Sequence, residues 1–428
     1  METYGVHRYL SELQADLRNR TYRYSPVRRV KIPKEKKGEY RMLSIPTIKD
    51  RIVQMAVKPE CRPMIIEPLW EAVFIPSSYG FRPKRSAADA IKEINKNLGE
   101  GYHCIYDADL SKYFDSIPHN KLFVMLKERI SDKGILDIIG QWLTAPIQLE
   151  NAELLSNHQG TPQGGVVSPL LANIYLHAFE RIVNNPNGKF AQSNIRIVRY
   201  ADDFVLMSTQ RYSRDIFRYI GWLMYRMELR LNREKTSILH ISKKNLFFLG
   251  FEIRKHRSKF NRERRNYTVI KPSQKSRSKL FTKIRELLAK RRHWKIEWVV
   301  YKLNELLIGW LNYFSINKVA YIWGTVRVMV RHLNYKLYKW LKNKGRQAHK
   351  SLRQRPYRNL VAYKNLLDLD RIAEAKVCAS ENACESFMKN SIGKPDEGKL
   401  QVRFDEGATR LYPTAAFLIL RNSINFLS

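Results

Sequence analysis

The stretch IRIVRYADDFVLMS, residues 195–208, limits the fold more than any other part of this chain. Two runs of β-branched and other apolar residues flank a polar junction, the pattern of a tight β-hairpin. The junction reads Tyr200-Ala201-Asp202-Asp203, so two neighbouring carboxylates are expected at its tip. Like charges this close raise each other's pKa, and the pair is costly unless a cation compensates it. A hairpin needs a sheet to lie in. A second acid-tipped strand is present in YHCIYDADL, where Asp107 and Asp109 follow the apolar run. Further strands are expected in SPVRRVKIPK and KKGEYRMLSIP, a hairpin with Gly38 in its loop, and as one short strand in LFFLGFEI. Helical patterns run through Tyr9–Leu17 and TIKDRIVQMAV, and residues 61–190 alternate helices with short strands. This mixture predicts an α+β domain with an antiparallel sheet.

Clustered carboxylates point to divalent-metal chemistry. Mg²⁺ is held by a few carboxylates together with substrate phosphates, and two such ions can clamp the attacking and leaving oxygens of an in-line displacement. That arrangement needs a third acid from a neighbouring strand, which Asp107 or Asp109 can supply. A solvated hairpin turn is the plain alternative for the tetrapeptide taken alone.

The charge balance indicates the kind of partner. The 428 residues carry 77 Lys and Arg against 40 Asp and Glu, a net of +37. Such an excess suits a polyphosphate, because each neutralised phosphate releases counterions. Residues 251–360 hold 30 Lys and Arg against 5 Asp and Glu, a local net of +25. Aromatics are interleaved there: Trp294, Trp298, Trp310, Tyr313, Phe314, Tyr321, Trp323, Tyr335, Tyr338 and Trp340. The apolar spacing of VVYKLNELLIGWLNYF is helical, so many of these rings are expected in a core, with Lys and Arg on outward faces. A helical domain lying on nucleic acid fits this pattern better than a merely solvated basic surface. The four cysteines, Cys61, Cys104, Cys378 and Cys384, lack zinc-type spacing and read as reduced thiols. The N-terminus has no signal-peptide core, and the apolar TAAFLIL is too short to span a bilayer. A cytoplasmic, nucleic-acid-associated protein of bacterial type, without a membrane partner, is expected.

Several segments together resemble the group II intron reverse transcriptases. IPKEKKGEYRMLSIPTIKDRIVQMA looks like the family's fingers segment, and SSYGFRPKRSAADAI like its next block. DADLSKYFDSIPHNKL resembles the first catalytic motif, and QGTPQGGVVSPLLANIYLHAFE the signature ahead of the active-site hairpin. RYADDFVL carries the acidic pair, LNREKTSI the motif after it, FFLGFEI the primer-gripping strand, and LNELLIGWLNYF the thumb or maturase domain. The likeness covers about residues 30–340, in the family's order.

The resemblance implies a right-hand polymerase fold, fingers and palm with an antiparallel sheet, followed by an α-helical thumb/maturase domain. Fingers and palm would occupy residues 1–262 and the helical domain 263–345. Residues 346–428 would form a C-terminal region, a candidate for nucleic-acid binding, without the paired Cys and His of an HNH endonuclease. Asp109, Asp202 and Asp203 become the catalytic, metal-holding carboxylates, and Asp107 an accessory acid. Lys34 and Arg41 fall on the fingers cations that hold the triphosphate. Phe114 falls under the incoming sugar, where a ring would exclude a 2′-OH, the group that marks RNA precursors. Gln163, between Pro162 and Gly164-Gly165, sits where backbone approaches the nucleotide. Lys235 falls where pyrophosphate is protonated, and Phe248, Leu249 and Gly250 on the primer grip. The implied cofactors are two Mg²⁺ ions, with Mn²⁺ able to substitute. The implied partners are an RNA template, a DNA or RNA primer, dNTPs and group II intron RNA. Family members commonly begin with a longer, Gly-containing extension, and this chain starts after that point. A maturase with a decayed polymerase, a retron-like or phage-defence reverse transcriptase, and a basic structural protein are the competing readings. The intact acids, the GWLNYF segment and the ordered motifs respectively weigh against them.

Overall fold

The computed structural model describes residues 5–33, 38–57, 66–257, 266–290, 294–317, 319–320, 322–344, 354–369 and 371. Lys34, Cys61, Tyr321, Cys378, Cys384 and most of residues 346–428 lie outside the described residues, with the expectations attached to them. The described residues fall into two compact units, one of residues 5–93 and 104–238, the other of 94–103 and 239–371. The described residues of the basic stretch 251–360 lie inside the second.

The first unit opens on α1 (Val6–Arg18), which buries Leu10, Leu13 and Leu17 on one helical stripe. Strands β1 (Val27–Pro33) and β2 (Tyr40–Ile45) pair antiparallel from Arg28↔Ile45 to Pro33↔Tyr40, the hairpin expected around Gly38. Helix α2 (Ile48–Val57) follows, with Asp50 buried in its first turn. Tyr22 Oη donates to Asp50 at 2.7 Å and the Ser25 amide at 3.3 Å, so the buried carboxylate is satisfied. Helices α3 (Glu67–Glu71) and α4 (Ala87–Gly99) lead to β3 (Cys104–Ala108). Then come α5 (Tyr113–Ser116), α6 (His119–Lys127), α7 (Lys133–Thr144), β4 (Ile147–Gln148) and β5 (Leu154–Leu155). Strands β1, β2, β4 and β5 form a sheet of order β2-β1-β4-β5.

Helix α8 (Ser168–Val183) is apolar around most of its circumference and buries residues on all sides, as a helix inside a core must. Short α9 (Lys189–Gln192) leads into β6 (Ile195–Tyr200) and β7 (Asp203–Ser208), followed by α10 (Arg214–Arg226) and β8 (Ser237–His240). The second sheet has the order β6-β7-β3-β8. Alternation divides its faces. Tyr106, Ala108, Phe204 and Leu206 join one core with α8 and α10, where Phe179 meets Phe204 at 5.3 Å and Tyr106 meets Phe217 at 5.9 Å. Asp107 therefore lies on the opposite face.

The second unit contains a three-stranded sheet of order β11-β10-β9. LFFLGFEI, expected as one strand, is two: β9 (Leu246–Phe248) and β10 (Phe251–Arg257), closed by Leu249-Gly250. Both turn residues have positive φ, 49° and 78°, the geometry that a two-residue hairpin favours. No polar residue marks this turn, which is why the apolar run hid it. Strand β11 (Asn266–Pro272) pairs antiparallel with β10, and α11 (Gln274–Lys290), α12 (Ile296–Phe314), α13 (Trp323–Asn343) and α14 (Pro356–Lys364) follow.

The helical core is mostly aliphatic, with Leu303, Leu307, Leu311, Val326, Met329, Leu333 and Leu337 all buried. This corrects the expectation that many of the interleaved rings are core. Phe314 and Trp340 are buried, whereas Trp298, Tyr313, Tyr335 and Tyr338 are exposed. The surface rings are used by cations instead. Lys339 lies 4.5 Å from the Tyr335 ring and Arg327 lies 5.2 Å from Trp323. Helix α13 carries no acid at all. Among the described residues no helix is long and apolar enough to cross a membrane.

Candidate active site

Strands β3 and β7 run antiparallel with Ala108 opposite Phe204 and Asp107 opposite Val205, while Tyr200 faces Asp203 across the β6–β7 turn. This register gathers Asp107, Asp109, Asp202 and Asp203 at one end of one sheet. Burial raises the Asp203 carboxyl to about 6, with Asp202 and Asp109 adding to the rise and Lys235 opposing it. Asp107 rises to about 7, first through burial and then through Asp203 and Asp109. Asp202 is also raised by burial and by Asp109, against the pull of Arg41 and Lys235. These groups feel one another's charge, as carboxylates sharing a site must.

Asp109 is held from the segment after α10. The Asn232 side chain donates to its carboxylate at 3.1 Å, and the Asn232 amide donates to its carbonyl at 2.8 Å. Lys235 Nζ donates to both carboxylate oxygens, at 3.0 and 3.3 Å. The ammonium thus provides part of the compensation that the acid cluster needs. Among the described residues no three acidic, His or Cys side chains converge closely enough to hold an ion. In donor type the set suits a hard divalent cation, being all carboxylate oxygen, crowded and partly desolvated.

The other expected residues divide by unit. Arg41, on β2, is exposed and near enough to act on the Asp202 carboxyl. Phe114, on α5, is half-buried and meets Phe81 edge-on at 6.2 Å and Tyr113 at 5.7 Å. The preceding Lys112 has φ 48°, which sets the entry of this short helix. Gln163 accepts the Ser44 amide at 2.6 Å through its carbonyl. A Cβ on Gly164 would come 2.9 Å from the Ser44 carbonyl, and φ there is +119°. The close backbone approach at this glycine is thus made to the protein's own strand β2. Phe248, Leu249 and Gly250 belong to the second unit. There Tyr313 Oη donates to the Leu249 carbonyl at 3.0 Å, and the Ser273 amide donates to that of Gly250 at 2.8 Å.

Residues 32–253 match the family model of the reverse transcriptase (RNA-dependent DNA polymerase), and residues 277–358 match that of the group II intron maturase-specific domain. The first match spans the sheet that carries all four acids, and the second spans most of the helices of the basic unit. This chain belongs to the group II intron reverse transcriptases. Protein YkfC of Escherichia coli (strain K12) is 33% identical over 63% of this chain and 77% of that protein. The group II intron-encoded protein LtrA of Lactococcus lactis is 30% identical over 58% of this chain and 50% of that protein. The chain therefore spans about half the length of LtrA. A solved telomerase structure from Candida albicans is similar over 89% of this chain and 65% of that one, with a TM-score of 0.45 and 14% identity. The family role is that of an RNA-directed DNA polymerase that also acts as a maturase.

In this reverse transcriptase the acidic hairpin is positioned by a buried polar network that sequence reasoning missed. Arg199, one residue before Tyr200, is fully buried. Its guanidinium donates to the Glu180 carboxylate, to Asn173 Oδ1 at 2.9 Å, to Ser78 Oγ at 2.7 Å and to the Ala201 carbonyl at 2.8 Å. The last bond grips the peptide on which Asp202 hangs. The Arg199 backbone also bridges Ser77 and Tyr79, its amide donating to Ser77 at 3.0 Å and its carbonyl accepting from Tyr79 at 2.9 Å. Asn173 in turn donates to the Gly80 carbonyl at 2.8 Å. A Cβ on Gly80 would lie 2.1 Å from the Ala201 nitrogen, so only glycine fits beneath the tip. Ala201 itself holds φ 58°, an uncommon conformation for an L-residue, and the network supports it. One signal was available: a cation inside an apolar strand, where the pattern called for an inward side chain.

Proposed function

We propose that Asp109, Asp202 and Asp203 hold two Mg²⁺ ions and that this chain extends a primer along an RNA template there. The observation that carries the reading is the gathering of four carboxylates, two with pKa values near 6 and 7, at the end of a sheet. When bound, the ions supply charge compensation at the attacking and leaving oxygens of an in-line displacement; Mn²⁺ can stand in for Mg²⁺. Asp107, half-buried and with a raised pKa, acts as an accessory acid behind the three. Arg41 binds triphosphate oxygens with its planar fork, a geometry that suits phosphate, and Lys34 assists it. Phe114 lies under the sugar and excludes a 2′-OH. The Gln163 backbone borders the nucleotide. Lys235, already on Asp109, shifts to donate a proton to the departing pyrophosphate. Phe248, Leu249 and Gly250 grip the primer.

The basic helical unit binds group II intron RNA, supported by its local charge of +25 and by exposed rings with cations over them. The division of labour is fingers and palm in residues 1–262, thumb and maturase in 263–345, and a nucleic-acid-contacting region in 346–428. The protein works beside nucleic acid in a bacterial-type cytoplasm.

The test is primer extension with purified protein, a primed RNA, dNTPs and Mg²⁺. Wild type extends the primer, and the double variant Asp202→Ala/Asp203→Ala falls to background while still binding RNA. Extension by the double variant would remove these acids from the reaction.

A further inference from the structure

Helix α10 buries Ile216, Ile220, Leu223 and Met224 against the same core as Tyr106, on the sheet face opposite Asp107. Its outward stripe is unusual for a surface helix. Trp222 is 53% exposed and Tyr225 79%. Single exposed apolar residues are ordinary, but two large rings three residues apart share one helix face and form a patch. The patch continues a row of rings from the interior. Buried Phe190 meets Tyr219 at 5.4 Å, and Tyr219 stacks on Trp222 at 5.8 Å with only 12° between planes. Cations border the row. Lys189 lies 5.0 Å from the Tyr219 ring, Arg226 lies 5.8 Å from Trp222, and Arg218 stands one turn before Trp222. The acid on this face, Asp215, is 3.9 Å from Arg218 with both side chains largely exposed, an ion pair that solvent screens.

We propose that the outer face of α10 is a second RNA-binding surface, taking single-stranded RNA by base stacking on Trp222 and Tyr225. Exposed π-faces interleaved with cations accept any base and its phosphate, without needing a duplex. Lys189, Arg218 and Arg226 supply the positive charge along the backbone. A second copy of this chain is the weaker occupant, because it would press two surfaces of a +37 protein together. The face lies behind the sheet from the acids, so the RNA held there is not the strand being copied. It can hold a distant part of the same RNA while the acids work. The inference rests on the reading that this chain handles RNA, but not on which residues polymerise.

The experiment uses the full chain preloaded with a template–primer, and a fluorescein-labelled oligouridylate carrying 4-thiouridine as probe. Irradiation should crosslink the probe to the tryptic peptide of residues 219–226. Each stacked base strengthens binding several-fold to about a hundredfold; the Trp222→Ala/Tyr225→Ala variant, which removes two rings, should thus lose that crosslink and bind the probe about thirty-fold less tightly or worse. Primer extension should be unchanged, which also reports an intact fold. Arg218→Gln/Arg226→Gln keeps the rings and should lower the salt slope by about 1.4, about 0.7 for each phosphate of a single strand. Crosslinks confined to other peptides, or probe affinity and salt slope indifferent to both variants, would overturn the proposal. So would a wild-type dimer in sedimentation that Trp222→Ala/Tyr225→Ala dissociates. Failure of the polymerase reading looks different: wild type would not extend the primer while the crosslink persisted.

Discussion

In the first unit the clustered charges are few, negative and partly desolvated, and two of them are held by named neighbours. Asp109 is clasped by Asn232 and Lys235, and the Asp202 peptide by buried Arg199. In the second unit the charges are many and mostly positive, and some of the cations lie over rings on the same helix face. The contrast follows from the chemistry each surface suits. Acids that must converge on small ions need sub-ångström placement, which only a buried, satisfied network maintains. Cations that follow a phosphate backbone need density and reach, and each contributes little alone. Single substitutions should therefore be severe in the first unit and graded in the second.

The largest expected effect is the loss of extension in Asp202→Ala/Asp203→Ala described above. Close behind it, Gly80→Ala should cut primer extension about a hundredfold, because the added methyl must displace the hairpin tip, and ångström-scale misplacement costs about that much. RNA affinity should stay near wild type. Normal extension by Gly80→Ala would mean that the tip tolerates displacement. Arg199→Lys is the milder companion: it retains charge but cannot make the four bonds, so extension should fall while Mg²⁺ requirement rises.

Graded behaviour is expected from the basic helices. Neutralising Lys and Arg between residues 271 and 295, without truncating the helices, should flatten the salt dependence of intron RNA binding. Each phosphate left without its cation takes about 0.7 to 0.9 from the log–log slope, and extension of a short bound primer should change little. If slope and affinity ignore these changes, the basic unit is not the RNA platform. Phe114→Val tests the sugar pocket: ribonucleotide incorporation should rise about ten- to a hundred-fold, with dNTP use largely kept. Unaltered discrimination would leave Phe114 as a partner of Phe81 and Tyr113 alone.

The smallest effect concerns pH. The folded pKa values near 6 for Asp203 and 7 for Asp107 stand above the ordinary carboxylate value of about 3.9. The metal-free fold thus binds more protons than the unfolded chain between about pH 4 and 7, and these two groups lower its stability as pH rises through that window. Of the two, Asp203 is the one proposed to hold the ions; Mg²⁺ must displace its proton, so its affinity should fall about tenfold per pH unit below about 6. Thermal unfolding with and without Mg²⁺ should give a stabilisation that grows from pH 5.5 to 7.5. A constant increment would show that the ions bind without displacing these protons.

Much of the first unit was legible in the sequence. β-Branched alternation and the acidic junction announced β6, β7 and β3, because period and turn chemistry are local properties. The Leu249-Gly250 turn was not legible, since it interrupts an apolar run with a backbone conformation and no polar marker. Lys235 lies on Asp109 and Arg41 near Asp202, juxtapositions that residue spacing alone does not announce. Apart from the cation inside an apolar strand, the Arg199 network left no mark, because Ser78, the helix that carries Asn173 and Glu180, and Arg199 meet only in the fold. In the helical unit periodicity found the helices but overfilled the core with rings. Ring size and spacing do not reveal that aliphatic residues have already occupied the interior.

Gly80 has a genetic consequence. Every missense change of a glycine codon adds at least a methyl group, and here the first added carbon already meets the Ala201 backbone. No conservative neighbour exists in codon space, so a lineage cannot drift at this position in small steps. A chain like this can remodel its helix surfaces one residue at a time, but the ground beneath its acidic turn must be inherited unchanged or rebuilt together with the turn.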